Sequence, residues 1–530
     1  MMVANVLLCF GLIAITAACA VGARRLRIPH SILLVVVGLA LAFIPGLPRV
    51  VLEPRLVMLL FLPPLLYAAG VSMSWRGFCM DIGAISVQAI GCVIFTTAAV
   101  AAVAHAVLGM SWPVGFVLGA VVSPPDVVAP MAIARRLQVP KRILTILEGE
   151  GLVNDATALI LFRFAVAAVA TGAFSMPAAI GSFAAILVGE VAFGVAVGWL
   201  MLRLRRRADD PDVEITLALL TPYLAFWPPE LLGGSGVLAA VSAGLYVSRH
   251  GSRLISAGTR LQGFFIWRMV VYLIEGVLFL LTGLQARTIF MSQNDAGSAN
   301  LLLHGALITL LVIVIRFAWV YPAALLARYL PGTAPPTWRG TFAIAFTGIR
   351  GVVSLAAALS IPLTLADGQP FPGRDAILFI TFCVILATLL GQGAVLPGVF
   401  RALGLVERGR QEQRAEWKRE VAARIEAVQA TLARLKEVLE RKEVDRDLAT
   451  PLQVRQHDRL RRLRRHHESA GEDRMLHDGA ALELELIAAE RERMHELRDS
   501  GALSDEARRR LERELDLEEL RLRQIDQDPA

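Results

Sequence analysis

Residues 121–126 read Val121-Val122-Ser123-Pro124-Pro125-Asp126, two prolines and an acid inside a stretch that is otherwise apolar from 112 to 134. Proline lacks an amide hydrogen and its ring clashes with the preceding turn, so two in succession prevent a continuous helix here. The next apolar stretch holds Glu148-Gly149-Glu150-Gly151-Leu152-Val153-Asn154-Asp155. Far downstream a third holds Phe346-Thr347-Gly348-Ile349-Arg350-Gly351, where two glycines allow the helix to unwind beside an arginine. A charge deep in a hydrocarbon span costs at least a few kcal/mol, so such residues either pair with one another or mark an ion path.

That argument needs a membrane, and composition supplies it. The chain is 55% hydrophobic over 530 residues, with mean hydropathy +0.58, far too apolar for a soluble protein of ordinary size. The apolar stretches run from 3 to 404, after which the chain turns densely charged, so two regions are expected: a membrane domain over 1–403 and a charged helical tail over 404–530. A crossing helix needs roughly 20 apolar residues, and the sequence supplies about thirteen such windows. They fall near 3–23, 29–46, 51–73, 83–109, 112–134, 143–171, 178–203, 213–227, 234–248, 261–289, 300–330, 338–365 and 375–402. The expected fold is an all-α polytopic membrane protein.

Arginine and lysine crowd alternate loops: Arg24, Arg25 and Arg27, then Arg76, then Arg135, Arg136, Lys141 and Arg142, then Arg203, Arg205, Arg206 and Arg207, then Arg249, Arg253 and Arg260, then Arg328 and Arg339. The opposite loops hold little beyond Arg49, Arg55, Arg287 and Arg374. The rule that short cytoplasmic loops are positive places the N-terminus outside and the tail inside. The same rule accounts for much of the formal +7 charge without a nucleic-acid partner. The first apolar run has no basic residues before it and no cleavage site leading into soluble sequence, so it reads as a retained span. The cysteines Cys9, Cys19, Cys79, Cys92 and Cys383 show no CxxC pair or framework spacing, which argues against disulfides and a cysteine metal site. No phosphate loop, nucleotide fingerprint or hydrolytic constellation is present, so neither an enzyme nor a cofactor is expected.

If spans one to six form one repeat and eight to thirteen another, the broken fifth span corresponds to the broken twelfth, which is the sequence mark of a transport site built on inverted repeats. Glu148 and Asp155 lie seven apart on one helix face, and Glu150 and Asn154 four apart on another. Asp155 stands near mid-bilayer and is the candidate binding acid. Glu150 and Arg350 must both be buried, and an acid and a base in that position are expected to pair with each other. Asp126 fits three roles: cation ligand, holder of a helix dipole, or cap of the lower half-helix. Glu190, Glu275, Arg268 and Arg316 are further charges in apolar surroundings, Glu275 being a candidate to pair with an arginine, and His105 reads as an interfacial side chain.

Together, Ser123-Pro124-Pro125-Asp126, Glu150 through Asn154-Asp155, and Gly348-Ile349-Arg350-Gly351-Val352-Val353-Ser354-Leu355 resemble the signature segments of bacterial monovalent cation/proton antiporters, in the electroneutral Asn-Asp branch related to the sodium/proton exchangers. Leu62-Pro63-Pro64-Leu65-Leu66-Tyr67, Phe279-Leu280-Leu281-Thr282-Gly283-Leu284-Gln285 and Arg316-Phe317-Ala318-Trp319-Val320-Tyr321-Pro322 support the likeness, which covers 3–403. The resemblance implies a thirteen-span fold, a homodimer in the inner membrane, and a moving core that carries the fifth, sixth and twelfth spans. It implies Asp155 as the shared cation and proton site, with Asn154 holding it or its surroundings, and a Glu150–Arg350 pair. This chain departs from the family at Pro125, where many members have Thr, at Gly151, where many have Ser, and at Ala68, where many have Glu. Those departures leave Asp155, Asp126, Ser123, the Pro125 carbonyl and water to bind the cation, Na⁺ first and Li⁺ or K⁺ as rivals.

Desolvation disfavours the charged form of a carboxylic acid, so one buried carboxyl can hold a proton or a hard cation but not both. Competition of that kind gives antiport. A K⁺/H⁺ antiporter, a cation channel, which would need a continuous water path, and a membrane-anchored signalling protein, which would not need buried acids, are the rival readings. In the tail, Val421, Ile425, Val428, Leu432, Leu435 and Leu439 make a short heptad seam. The run 459–467 is basic enough to touch anionic lipid or to form a solvated helix face.

Overall fold

A computed structural model of the chain describes residues 2–26, 28–45, 54–172, 175–208, 210–291, 298–327, 337–365, 367–441, 446–468, 474–500 and 504–527. Arg27, Arg49 and Arg328, used above for orientation, lie outside the described residues, as do the ends of several windows. Two compact units form, Met1–Gly409 and Arg410–Ala530.

Helices build the first unit: α1 Met2–Leu26, α2 His30–Ala42, α3 over 54–72, α4 Trp75–Leu108, α5 Trp112–Val122, α6 Val128–Arg136, α7 Lys141–Thr171, α8 Met176–Ala208, α9 Pro211–Leu231, α10 Val237–Leu254, α11 Ala257–Leu284, α12 Ala286–Met291, α13 Ser298–Ala327, α14 Trp338–Phe346, α15 Val352–Leu359 and α16 Arg374–Ala402. Among the described residues, each expected window falls mostly on helix. Six described helices are long and apolar enough to cross a membrane alone, and shorter apolar helices cover His30–Ala42, Val57–Ser72 and Trp112–Val122. The protein is therefore a multi-pass membrane protein. As the prolines and glycines predict, the windows at 112–134 and 338–365 are each interrupted, between α5 and α6 and between α14 and α15.

Small residues set the packing. A Cβ on Gly70 of α3 would lie 2.7 Å from the Val241 carbonyl of α10, and one on Gly194 of α8 would lie 2.2 Å from that of Ala239. These glycines let α3, α8 and α10 approach backbone to backbone, the usual solution where lipid supplies no hydrophobic drive between helices. Gly38 of α2 and Gly283 of α11 do the same for each other, and Gly119 of α5 sits against the Thr97 carbonyl of α4.

Among the described residues, three helices contain a π turn: Val57–Phe61 in α3, Val87–Cys92 in α4 and Ala387–Gln392 in α16. A π turn misaligns the backbone ladder locally, and ring donors from other helices reach two of these. Tyr223 Oη donates to the Leu60 carbonyl at 3.1 Å and Trp227 Nε1 to that of Leu59 at 3.0 Å. Trp319 Nε1 donates to the Val87 carbonyl at 3.2 Å, its ring occupying the space where Gly91 has no side chain.

The second unit is helical. Within it the helices Arg474–Asp499 and Asp505–Gln527 pack through Ile487, Met494, Leu515 and Leu522, and Arg491 bridges Asp516 and Glu519 at 2.6 and 2.8 Å. Along the heptad seam Val421 and Val428 are buried. In the basic run Leu460 is buried and Arg461 pairs with Asp458 at 2.5 Å. The side chains of 465–467 lie outside the described residues.

Candidate functional site

The two interruptions meet. The Asp126 amide donates to the Ile349 carbonyl at 2.7 Å, a backbone bond between breaks more than two hundred residues apart in sequence. α5 ends at Val122, and the Ser123 hydroxyl turns back to donate to the Ala120 carbonyl at 3.1 Å. α14 ends at Phe346, and the Thr347 hydroxyl donates to the Ile344 carbonyl at 2.9 Å. Each half-helix thus presents a carbonyl end, which carries partial negative charge, and each is met by a buried guanidinium.

Arg350 serves the end of α5. Its Nε donates to the Val122 carbonyl at 2.9 Å and its Nη2 to that of Ser123 at 3.3 Å, with a further bond from Nη1 to Gly348. Its amide is held by Thr388 Oγ1 at 3.0 Å, within the π turn of α16. Arg316 of α13 serves the end of α14, donating to the Ile344 carbonyl from Nε at 3.2 Å and Nη2 at 3.1 Å.

The expected Glu150–Arg350 pair is corrected by this arrangement. Glu150 accepts a two-pronged bond from Arg316, at 2.6 and 2.9 Å, with both side chains 1% exposed. The physical reason is that Arg350 is committed to the carbonyls of α5, whereas Arg316 reaches Glu150 and the α14 end at once through the fixed fork of its guanidinium. Sequence reading had singled out Arg316 as a buried charge without assigning it a partner.

Asp126 lies at the opposite, amide ends of the half-helices. Its Oδ1 accepts from the Val128 amide at 3.1 Å, in the first turn of α6. A Cβ on Gly351, which precedes α15, would lie 2.3 Å from Asp126 Oδ2. The carboxylate therefore packs against the starts of both α6 and α15, where a helix favours negative charge.

Asn154 of α7 donates from Nδ2 to the Pro125 carbonyl at 2.8 Å. A proline carbonyl only accepts, so this bond fixes which way the amide points and leaves Oδ1 as a buried acceptor. Asn154 Oδ1 and Asp126 Oδ2 are both buried and accept no hydrogen bond from the described residues. Asp155, the next residue on α7, is partly exposed. Carboxylate, amide and carbonyl oxygens are the ligand types that hard cations take, and the Asn154 bond joins the α7 segment that bears Asp155 to the break that bears Asp126. Gly151 belongs to the same construction, because a Cβ there would lie 2.4 Å from Val127 Cγ2 in the α5–α6 break. A serine at this position would collide with that valine. Asp126, Asn154 and Pro125 are thus brought together. Ser123 abuts them through its backbone, its hydroxyl proton being used within α5.

Exposure along α7 is graded. On the Asp155 face Lys141 is exposed and Thr145 and Glu148 are half-buried, whereas Leu159 and Phe162 beyond Asp155 are buried. Leu159 and Phe162 line a small apolar gap with Val121, Val353 and Ala357. Exposure on this face therefore increases toward the Lys141 end of the helix. On that side Glu148 pairs with Arg135 of α6, and Arg142 with Asp81 of α4 at 3.0 Å.

Other charges noted in the sequence fall elsewhere. Glu190 of α8 accepts from the amides of Ser235, Gly236 and Leu238 at 2.5, 3.0 and 3.1 Å, capping α10 from another helix. Arg268 is exposed, lying over the Phe264 and Phe265 rings. Glu275 is half-buried and makes no hydrogen bond or ion pair among the described residues. His105 is exposed, bonds the Met110 carbonyl at 2.8 Å and stacks on Trp112.

Two interrupted helices crossing at a carboxylate define a transporter architecture, and comparison with known proteins agrees. An "uncharacterized Na⁺/H⁺ exchanger" of Mycobacterium tuberculosis is 35% identical over 97% of both chains. A "sodium, potassium, lithium and rubidium/H⁺ antiporter" of Bacillus subtilis is 34% identical over 70% of this chain and 57% of its own. The solved sodium proton antiporter of Methanocaldococcus jannaschii superposes with a TM-score of 0.61 at 19% identity, over 76% of this chain and 99% of that one. Residues 11–402 match the family model described as "Sodium/hydrogen exchanger, transmembrane", and the chain belongs to that family of membrane transporters.

Proposed function

We propose that the chain exchanges Na⁺ for H⁺ at Asp155 by alternating access, one cation for one proton, as a homodimer in the inner (plasma) membrane. In this reading the N-terminus lies outside and the tail is cytoplasmic, as the arginine-rich loops favour. The observation that supports the site is the pair of bonds that join α7 to the crossing, Asn154 to the Pro125 carbonyl and the Asp126 amide to the Ile349 carbonyl, with the partly exposed Asp155 following Asn154 on α7. With Asp155 ionised, its carboxylate, Asp126 Oδ2, Asn154 Oδ1 and the Pro125 carbonyl make a cation shell. With Asp155 protonated, the charge is compensated without a cation. Either loaded form can cross to the other side, and the empty anion cannot.

K⁺ is tested beside Na⁺ because the Bacillus subtilis relative is named for both ions and Pro125 offers no hydroxyl to sharpen selection. The experiment uses purified protein in proteoliposomes with a pH gradient and Na⁺, Li⁺ or K⁺ outside. Wild-type protein dissipates the gradient with at least one of them, and Asp155→Asn, which keeps the shape but carries no proton, abolishes exchange. Exchange at the wild-type rate in Asp155→Asn sinks the proposal. Because proton and cation compete for one group, the apparent KM for Na⁺ rises as pH on the same side falls, by up to about tenfold per pH unit. With one titrating carboxyl the cycle moves no net charge, so clamping the membrane potential with a potassium ionophore leaves the Na⁺/H⁺ equilibrium where it was.

A further inference from the structure

Arg163 lies on α7 eight residues beyond Asp155, about 12 Å along the axis, on the side away from the Lys141 end. Its Nη2 donates to Glu230 Oε1 at the end of α9, and its Nη1 to the Gly234 carbonyl in the loop that starts α10. The receiving loop is itself fixed. The Glu190 carboxylate, 3% exposed, accepts the Ser235, Gly236 and Leu238 amides and the Ser235 hydroxyl. A Cβ on Gly234 would lie 2.7 Å from Glu190 Oε1, so the loop has no slack. α10 is in turn packed backbone to backbone with α3 and α8. Arg163 thus adds a polar tie, beside the apolar packing of Leu159 and Phe162 with Val237 and Leu238, between the helix that bears Asp155 and the helices built around α10.

We propose that the Arg163–Glu230–Gly234 contact is a latch that keeps Asp155 closed to the Arg163 side, so that Arg163 and Glu230 act as positioning residues that set which face of the membrane the ion site meets. The inference rests on the alternating-access reading above. Leu159 and Phe162, one and two turns past Asp155 on the same face, are buried. An ion leaving Asp155 in that direction has to pass them, and α7 cannot part from the start of α10 until both Arg163 bonds break. Glu230 and Arg163 are a quarter to a third exposed, so the pair is close enough to water to open and reclose within a transport cycle. Neither residue belongs to the proposed ion-binding shell.

The test is the accessibility of a reporter thiol at Leu159→Cys, in full-length protein whose native cysteines are replaced by serine, reconstituted in proteoliposomes of known orientation. A membrane-impermeant thiol reagent is added on the Arg163 side. Arg163→Gln and Glu230→Gln each raise the labelling rate by about tenfold, the shift expected when a charge-assisted bond no longer holds one of two states. Arg163→Lys, which keeps the charge and can reach Glu230, stays near the parent rate. A merely structural role lowers the unfolding temperature without changing labelling from one side. Unchanged labelling in both glutamine variants overturns the latch, and Glu230→Gln alone decides the matter if Arg163→Gln does not fold. Labelling does not depend on transport. Exchange retained by Asp155→Asn therefore removes the ion-site reading, whereas an inactive Asp155→Asn with unmoved labelling removes only the latch.

Discussion

The break after α5 and the break after α14 follow one plan with opposite charge. Each half-helix ends in a hydroxyl residue, Ser123 or Thr347, that bonds back to the carbonyl three residues earlier. Three residues further on stands the charged group, Asp126 in one break and Arg350 in the other. The means of interruption differ. Prolines open the first break and leave it short of amides, which suits an acid that draws its donor from the start of α6. Glycines open the second and let Asp126 and two guanidiniums crowd the backbone, since a Cβ on Gly348 would lie 2.6 Å from Arg316 Cδ. The cation of one break neutralises the carbonyl end of the other, and the acid of the first packs at the amide end of the second. The crossing is therefore locked by reciprocal charge, and Arg316 ties the α14 end to Glu150 as well.

Breaking the Glu150–Arg316 pair gives the largest effect. Glu150→Ala and Arg316→Ala each strand a fully buried charge and are expected to cost about 3–5 kcal/mol in detergent unfolding assays. The double variant costs less than the sum. Arg350→Ala costs less than Arg316→Ala, because it strands carbonyls rather than a carboxylate. Coupling of Glu150 to Arg350 in the mutant cycle, rather than to Arg316, would contradict the assignment. Gly351→Ala comes next, at about 1–3 kcal/mol, because its Cβ would meet Asp126 Oδ2 at 2.3 Å. That substitution is also expected to lower exchange, whereas Gly391→Ala, with nothing within 4 Å, is neutral in both assays. An equal loss at the two positions would detach Asp126 from the second break.

The smallest effect sharpens the comparison most. Ser123→Ala and Thr347→Ala each remove one hydroxyl back-bond and are expected to lower stability by about 1 kcal/mol or less. If the Ser123 oxygen contributes to the cation shell, only Ser123→Ala also raises the apparent KM for Na⁺, by several-fold. Matching KM values in the two variants would leave Ser123 with a capping role alone.

Much of this was legible in the sequence, because prolines, glycines and charges inside apolar windows carry local meanings that a membrane cannot override. The two breaks, Asp126, Asn154 and Asp155, and the burial of Glu150, Arg316 and Arg350 follow from those signals. The choice between Arg316 and Arg350 as partner for Glu150 does not. It depends on which guanidinium is already occupied by a helix end, and that is fixed only by the three-dimensional crossing. The spacing that Ser123 to Asp126 shares with Thr347 to Arg350 was available as a signal of correspondence between the halves, though the residue types conceal it. Glu190 was visible only as a buried acid. The start of α10, Gly233-Gly234-Ser235-Gly236, supplies no side-chain cap of its own, which is the one local hint that a carboxylate must come from elsewhere.

The π turns in α3, α4 and α16 have a consequence for the length of the chain. One residue of an α-helix turns the chain by about 100°, so deleting a residue from a regular span swings everything beyond it off its buried face. A deletion within Val57–Phe61, Val87–Cys92 or Ala387–Gln392 can instead be absorbed by relaxation of the wide turn to an ordinary one, leaving Leu396 and Phe400, for example, still facing inward. These three turns are the places where an alignment of relatives can carry a one-residue gap inside a span without changing the phase of either flank.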